Sequence, residues 1–126
     1  LDKWCQSKGQ SQIYKREYEA IKRAISIAHD FNLVCLGVWV EDVLVGFSIS
    51  ELLPDGKFVL AHYRKADVSY PGIYQFMENQ TAIYLRKLGR SFINYEQDLG
   101  LEGLRKSKLS WRPIKYLKKY TITRKN

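Results

Sequence analysis

Within the stretch INYEQDLGLEGLRKSK, residues 93–108, an amide, two carboxylates and two cations follow one another: Asn94, Glu96, Asp98, Arg105 and Lys108. Such an inventory offers, first, carboxylates to bind a cation or serve as a base and, second, cations to meet a phosphate or an oxyanion. Glu96 and Asp98, two apart in a turn, supply the first. Arg105 and Lys108, three apart on one helix face, supply the second. Each also has a plainer reading: Asp98 as a helix N-cap, Glu96 as a solvated loop acid, Arg105 and Lys108 as an exposed basic face, Asn94 as a residue bonding its own turn. Lys65, Asp67 and Tyr70 close an upstream strand and are further substrate-binding candidates, or a solvated strand end.

The elements that must position these groups are legible in the periodicity. Tyr14, Tyr18, Ile21, Ile25 and Ala28 fall at helical spacing over residues 12–29. Residues 33–40 are nearly continuously apolar, and Val43, Val45, Phe47 and Ile49 alternate as a strand does, with Glu41 and Asp42 turning one into the other. LLPDGKF is a turn, Pro54 presetting φ and Gly56 accepting a positive one, before a third strand over 57–66. Ile73, Phe76, Met77, Gln80, Ile83, Tyr84 and Leu88 then share a second helical stripe that stops at Gly89. SFIN predicts a short strand, residues 99–109 a helix capped by Asp98 with Glu102 in its first turn, and KYTIT a last strand. The expected fold is α/β (α+β): a mixed, largely antiparallel sheet with helices on both faces, in the order α-β-β-β-α-β-α-β.

With 126 residues, 45% hydrophobic and 27% charged, the chain is expected to be one domain over residues 1–126 with a real core. It begins at Leu1 and its one methionine is Met77, which suggests a piece of a longer protein. No apolar run reaches the roughly 18 residues of a membrane span, and no export signal opens it. The expectation is a cytoplasmic domain, peripheral at most to the inner membrane face. Cys5 and Cys35 show no metal or redox spacing and read as reduced thiols; no metal-ligand set is expected. The net charge of +8 belongs to residues 101–126, which carry nine bases against one acid. There Arg112, Lys115, Lys118 and Lys119 interleave with Trp111, Tyr116 and Tyr120, a pattern suited to RNA or an anionic lipid surface, or to alternate core positions of a terminal strand. His62 is three residues from Lys65, hence expected on the opposite strand face as a structural histidine. His29 reads as a dipole partner at a helix end.

The order of elements resembles the GNAT acyltransferase fold. More narrowly, AHYRKAD (61–67), GIYQFMENQTA (72–82) and FINYEQDLGLEGLRKSKLSW (92–111) resemble the C-terminal half of the phosphatidylglycerol lysyltransferase C-terminal-like family. Asn94, Glu96, Asp98, Gly100, Leu104, Arg105 and Lys108 match that family's pattern. The resemblance implies a GNAT-like second half whose partner is a missing N-terminal half. It also implies transfer of an aminoacyl group from aminoacyl-tRNA to a phosphatidylglycerol-like lipid or a cell-envelope acceptor, without an acyl-enzyme. Asp98, Glu96 and Lys108 would be catalytic; Lys65, Asp67, Tyr70, Asn94 and Arg105 would bind substrate. Two positions depart from the family: Arg64 stands where relatives usually have an acid, and Tyr95 where an arginine is common.

An ordinary GNAT acetyltransferase cradles the CoA pyrophosphate on the amides of a glycine-rich turn. The corresponding ADVSYPGIYQ, residues 66–75, has one glycine and a proline without an N–H. No cofactor is therefore expected, and CoA-dependent N-acetylation ranks below aminoacyl transfer. A reading from another class is a non-catalytic basic module that binds RNA or anionic lipid.

Overall fold

The structure, a computed structural model, describes residues 1–2, 6 and 12–124. Cys5 lies outside the described residues; Cys35 is a free thiol. The chain forms two compact units, Leu1–Glu96 and Gln97–Asn126.

In the first unit, α1 (Gln12–Ser26) buries Ile21 fully, with Tyr14 and Tyr18 half-buried on the same stripe. It stops before the expected His29. The Ser26 hydroxyl donates to the Arg23 carbonyl (2.8 Å), and the following residues form turns ending at Asn32, whose φ is 51°. His29 thus stands beyond the helix, beside Asp30. β1 (Leu33–Val40) and β2 (Val43–Leu52) are joined through Glu41 and Asp42 at φ 45° and 64°, the double left-handed turn whose twist suits a hairpin. Between β2 and β3 (Phe58–Ala66), Asp55 Oδ1 accepts the N–H groups of Lys57 and Phe58, both at 2.9 Å. α2 (Ile73–Lys87) then crosses over to β4 (Phe92–Asn94). It ends at Gly89, φ 77°, with Arg90 N–H donating back to the Leu85 carbonyl.

The sheet order is β1-β2-β3-β4, antiparallel except for the parallel β3/β4 pair. α2 covers one face. Val45, Ala66, Ile73 and Met77 form its core, and Ser48 shares a hydrogen bond with Thr81 at 3.2 Å. Small residues let the helix approach: a Cβ on Gly46 would lie 2.7 Å from Met77 Sδ. α1 covers the other face, where Glu17 reaches Lys65, while Arg64, the next residue back on β3, faces Glu78 of α2. Helices on both faces of a mixed sheet are the expected fold class.

The second unit differs from expectation twice. α3 runs Glu102–Ser110 with Leu101 at its N-cap, not from Leu99 with Asp98 as cap. Leu99 and Gly100 hold φ of 55° and 74°, so the backbone cannot enter a right-handed helix before Leu101. The last strand also does not form: residues 113–124 have no regular secondary structure. A strand persists only where a neighbour takes its ladder bonds, and no described strand pairs with this segment. Trp111, Tyr116 and Tyr120 are accordingly exposed, not core residues of a strand.

Candidate active site

β3 and β4 pair only from Phe58/Phe92 to Leu60/Asn94. The Phe58 and Phe92 rings stack at 4.9 Å at the start of that ladder. Beyond it the strands part. Asn94 Oδ1 accepts the Glu96 N–H at 2.8 Å, and Glu96 takes φ 54°, turning the chain away. Asn94 is therefore a turn-making residue at the mouth of the splay.

His62 and Glu96 stand two residues past the last paired positions of their strands. His62 Nε2 meets Glu51 Oε2 at 2.7 Å, and His62 Nδ1 meets Glu96 Oε1 at 3.2 Å. β2, β3 and the turn after β4 thus converge on one imidazole, with carboxylates on both ring nitrogens. The expected face of His62 needs correction. β3 shifts register between Ile49↔Tyr63 and Ser50↔Ala61, leaving His62 as the extra residue of a β-bulge. The bulge cancels the period-2 count, and His62 shares the face of Glu51 instead of standing opposite Lys65. The imidazole side chain is 28% exposed, so the site is reachable from solvent.

On the other side of the splay, Arg64 Nη1 lies 3.6 Å from Glu78 Oε1, and its guanidinium sits 4.3 Å from the Tyr95 ring centroid. Arg64 Nε and Nη2 are buried without a hydrogen-bond partner. Burial pushes the Tyr95 phenol above its ordinary range, the Arg64 charge opposing and Glu78 adding to the shift. The two positions that depart from the family pattern are thus in direct contact.

The remaining candidates in this unit are placed elsewhere. Lys65 Nζ donates to Glu17 Oε1 at 2.7 Å. Asp67 Oδ1 accepts the Ser69 N–H, and the Asp67 N–H donates to the Val45 carbonyl, carrying the chain back across β2. Tyr70 consequently borders not the splay but a groove of about 710 Å³ over β1, β2 and α2, lined by Val38, Trp39, Phe76 and Tyr84 with Ser48 and Thr81 among its polar groups. In the turn before α2, the N–H groups of Asp67, Ser69, Tyr70 and Ile73 all donate within the chain, and Pro71 has none. Pro71 leaves one amide fewer for a pyrophosphate at this helix N-terminus.

The second unit gathers its own set. Asp98 Oδ2 accepts Arg105 Nε at 2.5 Å and Asp98 Oδ1 accepts the Gly100 N–H at 3.0 Å. The Arg105 guanidinium, and then the Gly100 amide, hold the Asp98 carboxyl below its ordinary range. Lys108 donates to the Gln97 carbonyl at 2.7 Å and Lys119 to the Gln97 side chain at 3.2 Å. Arg105 and Lys108, expected on one helix face, do reach the same turn. Arg112, Lys115 and Lys118 are exposed. Among the described residues, no group of three or more His, Cys, Asp or Glu side chains is placed to hold a metal ion, and no helix is long and apolar enough to cross a membrane.

His62, Glu51, Arg64, Glu78 and Tyr95 were not among the residues expected at the site. The signal available for Arg64 was the run of small residues at alternate positions on β2, Gly46, Ser48 and Ser50, which leaves room for a long side chain on that sheet face. For His62 the strand pattern carried no signal, because a bulge breaks the count.

A mixed sheet that splays after a parallel β3/β4 pair, with a helix on each face, defines a GNAT-like fold. Ribosomal-protein-alanine N-acetyltransferase from Brucella melitensis biovar Abortus shares it at TM-score 0.65 and 20% identity, over 80% of this chain and 76% of that one. The aminoglycoside N-acetyltransferase AAC(6')-Iy, solved in complex with CoA, shares it at TM-score 0.58 and 8% identity, over 93% and 96%. A conserved protein of unknown function from Bacteroides thetaiotaomicron matches at TM-score 0.75 and 28% identity over 90% of this chain, which spans 38% of that longer one. No curated protein matches the sequence. Residues 1–123 match the family model described as phosphatidylglycerol lysyltransferase, C-terminal, and the chain belongs to that family.

Proposed function

We propose that this domain transfers an aminoacyl group from aminoacyl-tRNA to a phosphatidylglycerol-like lipid or another cell-envelope acceptor, working at the cytoplasmic face of the membrane beside an N-terminal GNAT-like half. The observation that carries this reading is the convergence of Glu51, His62 and Glu96 where β3 and β4 part. Acyl transfer needs a proton acceptor and a carboxylate for the donor's α-ammonium at one place. Glu96, 46% exposed, is the carboxylate for the ammonium. Pro71, which has no N–H, and the amides of Asp67, Ser69, Tyr70 and Ile73, which donate within the chain, argue for a donor without a pyrophosphate. A tRNA is instead held through its phosphates by side-chain cations, and Arg112, Lys115, Lys118 and Lys119 supply them; Lys108 and Arg105 steady the Asp98 turn. No cofactor takes part in this scheme.

The test is transfer of radiolabelled amino acids from a panel of aminoacyl-tRNAs into the organic phase, using the full-length protein and phosphatidylglycerol vesicles. Label in the lipid supports the proposal; no label with any pairing refutes it. The exposed aromatic and basic residues 111–120 favour one other reading, a module that only binds RNA or anionic lipid. Glu96→Gln and His62→Gln separate the two: the enzyme loses turnover while still binding tRNA, the module keeps its binding and has no turnover to lose. A thermal shift with acetyl-CoA would restore the CoA-dependent alternative.

A further inference from the structure

We infer that Glu51 and His62 form the proton-accepting pair of the transfer, with Nδ1 as the atom that takes the proton and Glu96 as its gate. The inference deepens the function proposed above and rests on it for the identity of the substrates.

A neutral imidazole donates from one nitrogen and accepts at the other. Here both nitrogens face carboxylate oxygens, so only one contact keeps its hydrogen when the ring is neutral. The contacts are unequal: 2.7 Å to Glu51 on Nε2 against 3.2 Å to Glu96 on Nδ1. The shorter bond retains the proton, which leaves the lone pair on Nδ1, toward the splay. Glu51 stands on β2 inside the sheet ladder, paired with Leu60; Glu96 stands on a turn past the end of β4. The anchored carboxylate orients the ring and the unanchored one is free to leave. Apart from these two acids, the Tyr63 ring, tilted at 6.3 Å, is the aromatic neighbour of the imidazole.

The sequence of events follows from charge. An aminoacyl ester brings an α-ammonium, which draws Glu96 away from Nδ1. The acceptor hydroxyl takes its place against the lone pair. Its oxygen attacks the ester carbonyl carbon as its proton passes to Nδ1; the bond from that carbon to the ribose oxygen breaks, and Nδ1 returns the proton to the ribose oxygen. One ester bond forms, one breaks, and the imidazole ends as it began. Glu51 touches no reacting atom and is a positioning residue.

Two measurements on the full-length protein test this. The first needs no turnover. At a pH where the ring is neutral, the spectrum shows one downfield imidazole N–H signal that His62→Gln removes, that Glu51→Ala also removes, and that Glu96→Ala leaves in place. Loss with Glu96→Ala and retention with Glu51→Ala would reverse the pair and overturn the inference. The second is the transfer assay. His62→Gln is expected to lower kcat by about 10²- to 10⁴-fold with KM for the aminoacyl-tRNA little changed, and added imidazole to restore part of the turnover of His62→Ala. A folded His62→Gln protein, confirmed by its thermal melt, that keeps near wild-type kcat sinks the inference while leaving the proposed function standing. If the wild type transfers nothing, the proposed function fails and the N–H signal alone decides the polarity of the pair.

Discussion

Removing one member of the Arg64–Glu78 pair is expected to cost far more than removing both. The Nη1–Oε1 distance is 3.6 Å and the side chains are 13% and 14% exposed. At an effective dielectric of ~20, two unit charges at that distance attract by about 4–5 kcal/mol. Taking each ion out of water costs several kcal/mol, so the pair nets close to zero. A single deletion leaves the other charge buried without that attraction, a loss of about 3–5 kcal/mol. Arg64 also carries a cation–π contact with Tyr95, of order 2 kcal/mol when desolvated. Arg64→Met and Glu78→Met should therefore each destabilise the fold by about 3 kcal/mol or more, or roughly 10 °C in Tm for a chain of this size. The double substitution should return to within about 1 kcal/mol of wild type, since the buried Arg64 Nε and Nη2, which have no hydrogen-bond partner, disappear with it. Urea unfolding followed by far-ultraviolet circular dichroism measures all four proteins. If the two single losses simply add in the double variant, with a coupling energy near zero, the pair is not the unit described here.

Three further outcomes follow from the geometry. Gly46→Ala places a Cβ 2.7 Å from Met77 Sδ and 3.2 Å from Ala66 Cβ; overpacking of this kind costs about 1–3 kcal/mol, and shortening the neighbour with Met77→Val should recover part of the lost Tm. Tyr95 titrates above its ordinary 10.0 because it is buried. A raised acid keeps its contribution below the unfolded value and loses it as pH rises toward the folded one, so stability should fall above about pH 10 and less steeply in Tyr95→Phe. Asp98 titrates below its ordinary 3.8, held down first by Arg105. Its contribution is present above that value and lost as pH falls through the depressed one. A carboxyl-carbon NMR titration should find its midpoint below 3.8 in the wild type and higher in Arg105→Gln.

What was legible in the sequence was whatever rests on local repetition. The helix from Ile73 ended at Gly89 because a helix needs a left-handed residue to turn out of its last carbonyls. Its buried face, however, is Ile73, Met77, Thr81 and Leu85, while Phe76, Ile83, Tyr84 and Leu88 of the expected stripe are exposed. The acids Glu41 and Asp42 made a hairpin turn because their short distance between apolar runs leaves no other connection. The terminal strand failed for the complementary reason: KYTIT has the alternation of a strand, but alternation specifies a face and not a neighbour, and no described edge takes its ladder. Asp98 had the residue type and position of an N-cap. The left-handed Leu99 and Gly100 delayed the helix and turned that carboxylate to Gly100 and Arg105 instead.

The site itself was hidden by one inserted residue. Period-2 reasoning assigns faces only while a ladder is uninterrupted, and β3 gains a residue at His62. From Ala66 back to Tyr63 the count holds: Lys65 turns to Glu17 on α1 and Arg64 to Glu78 on α2. Past the bulge it inverts, and the histidine set aside as structural meets Glu51 and Glu96. The same end of the sheet explains why the departures at 64 and 95 are not two independent changes. Their side chains stack at 4.3 Å, so a strand-borne cation here meets an aromatic ring, and a change at either position alters the surroundings of the other. In this chain the cation rides on β3, packed against α2 and two positions from the imidazole, so the polarity of the splay is fixed by the sheet and not by the loop that follows β4.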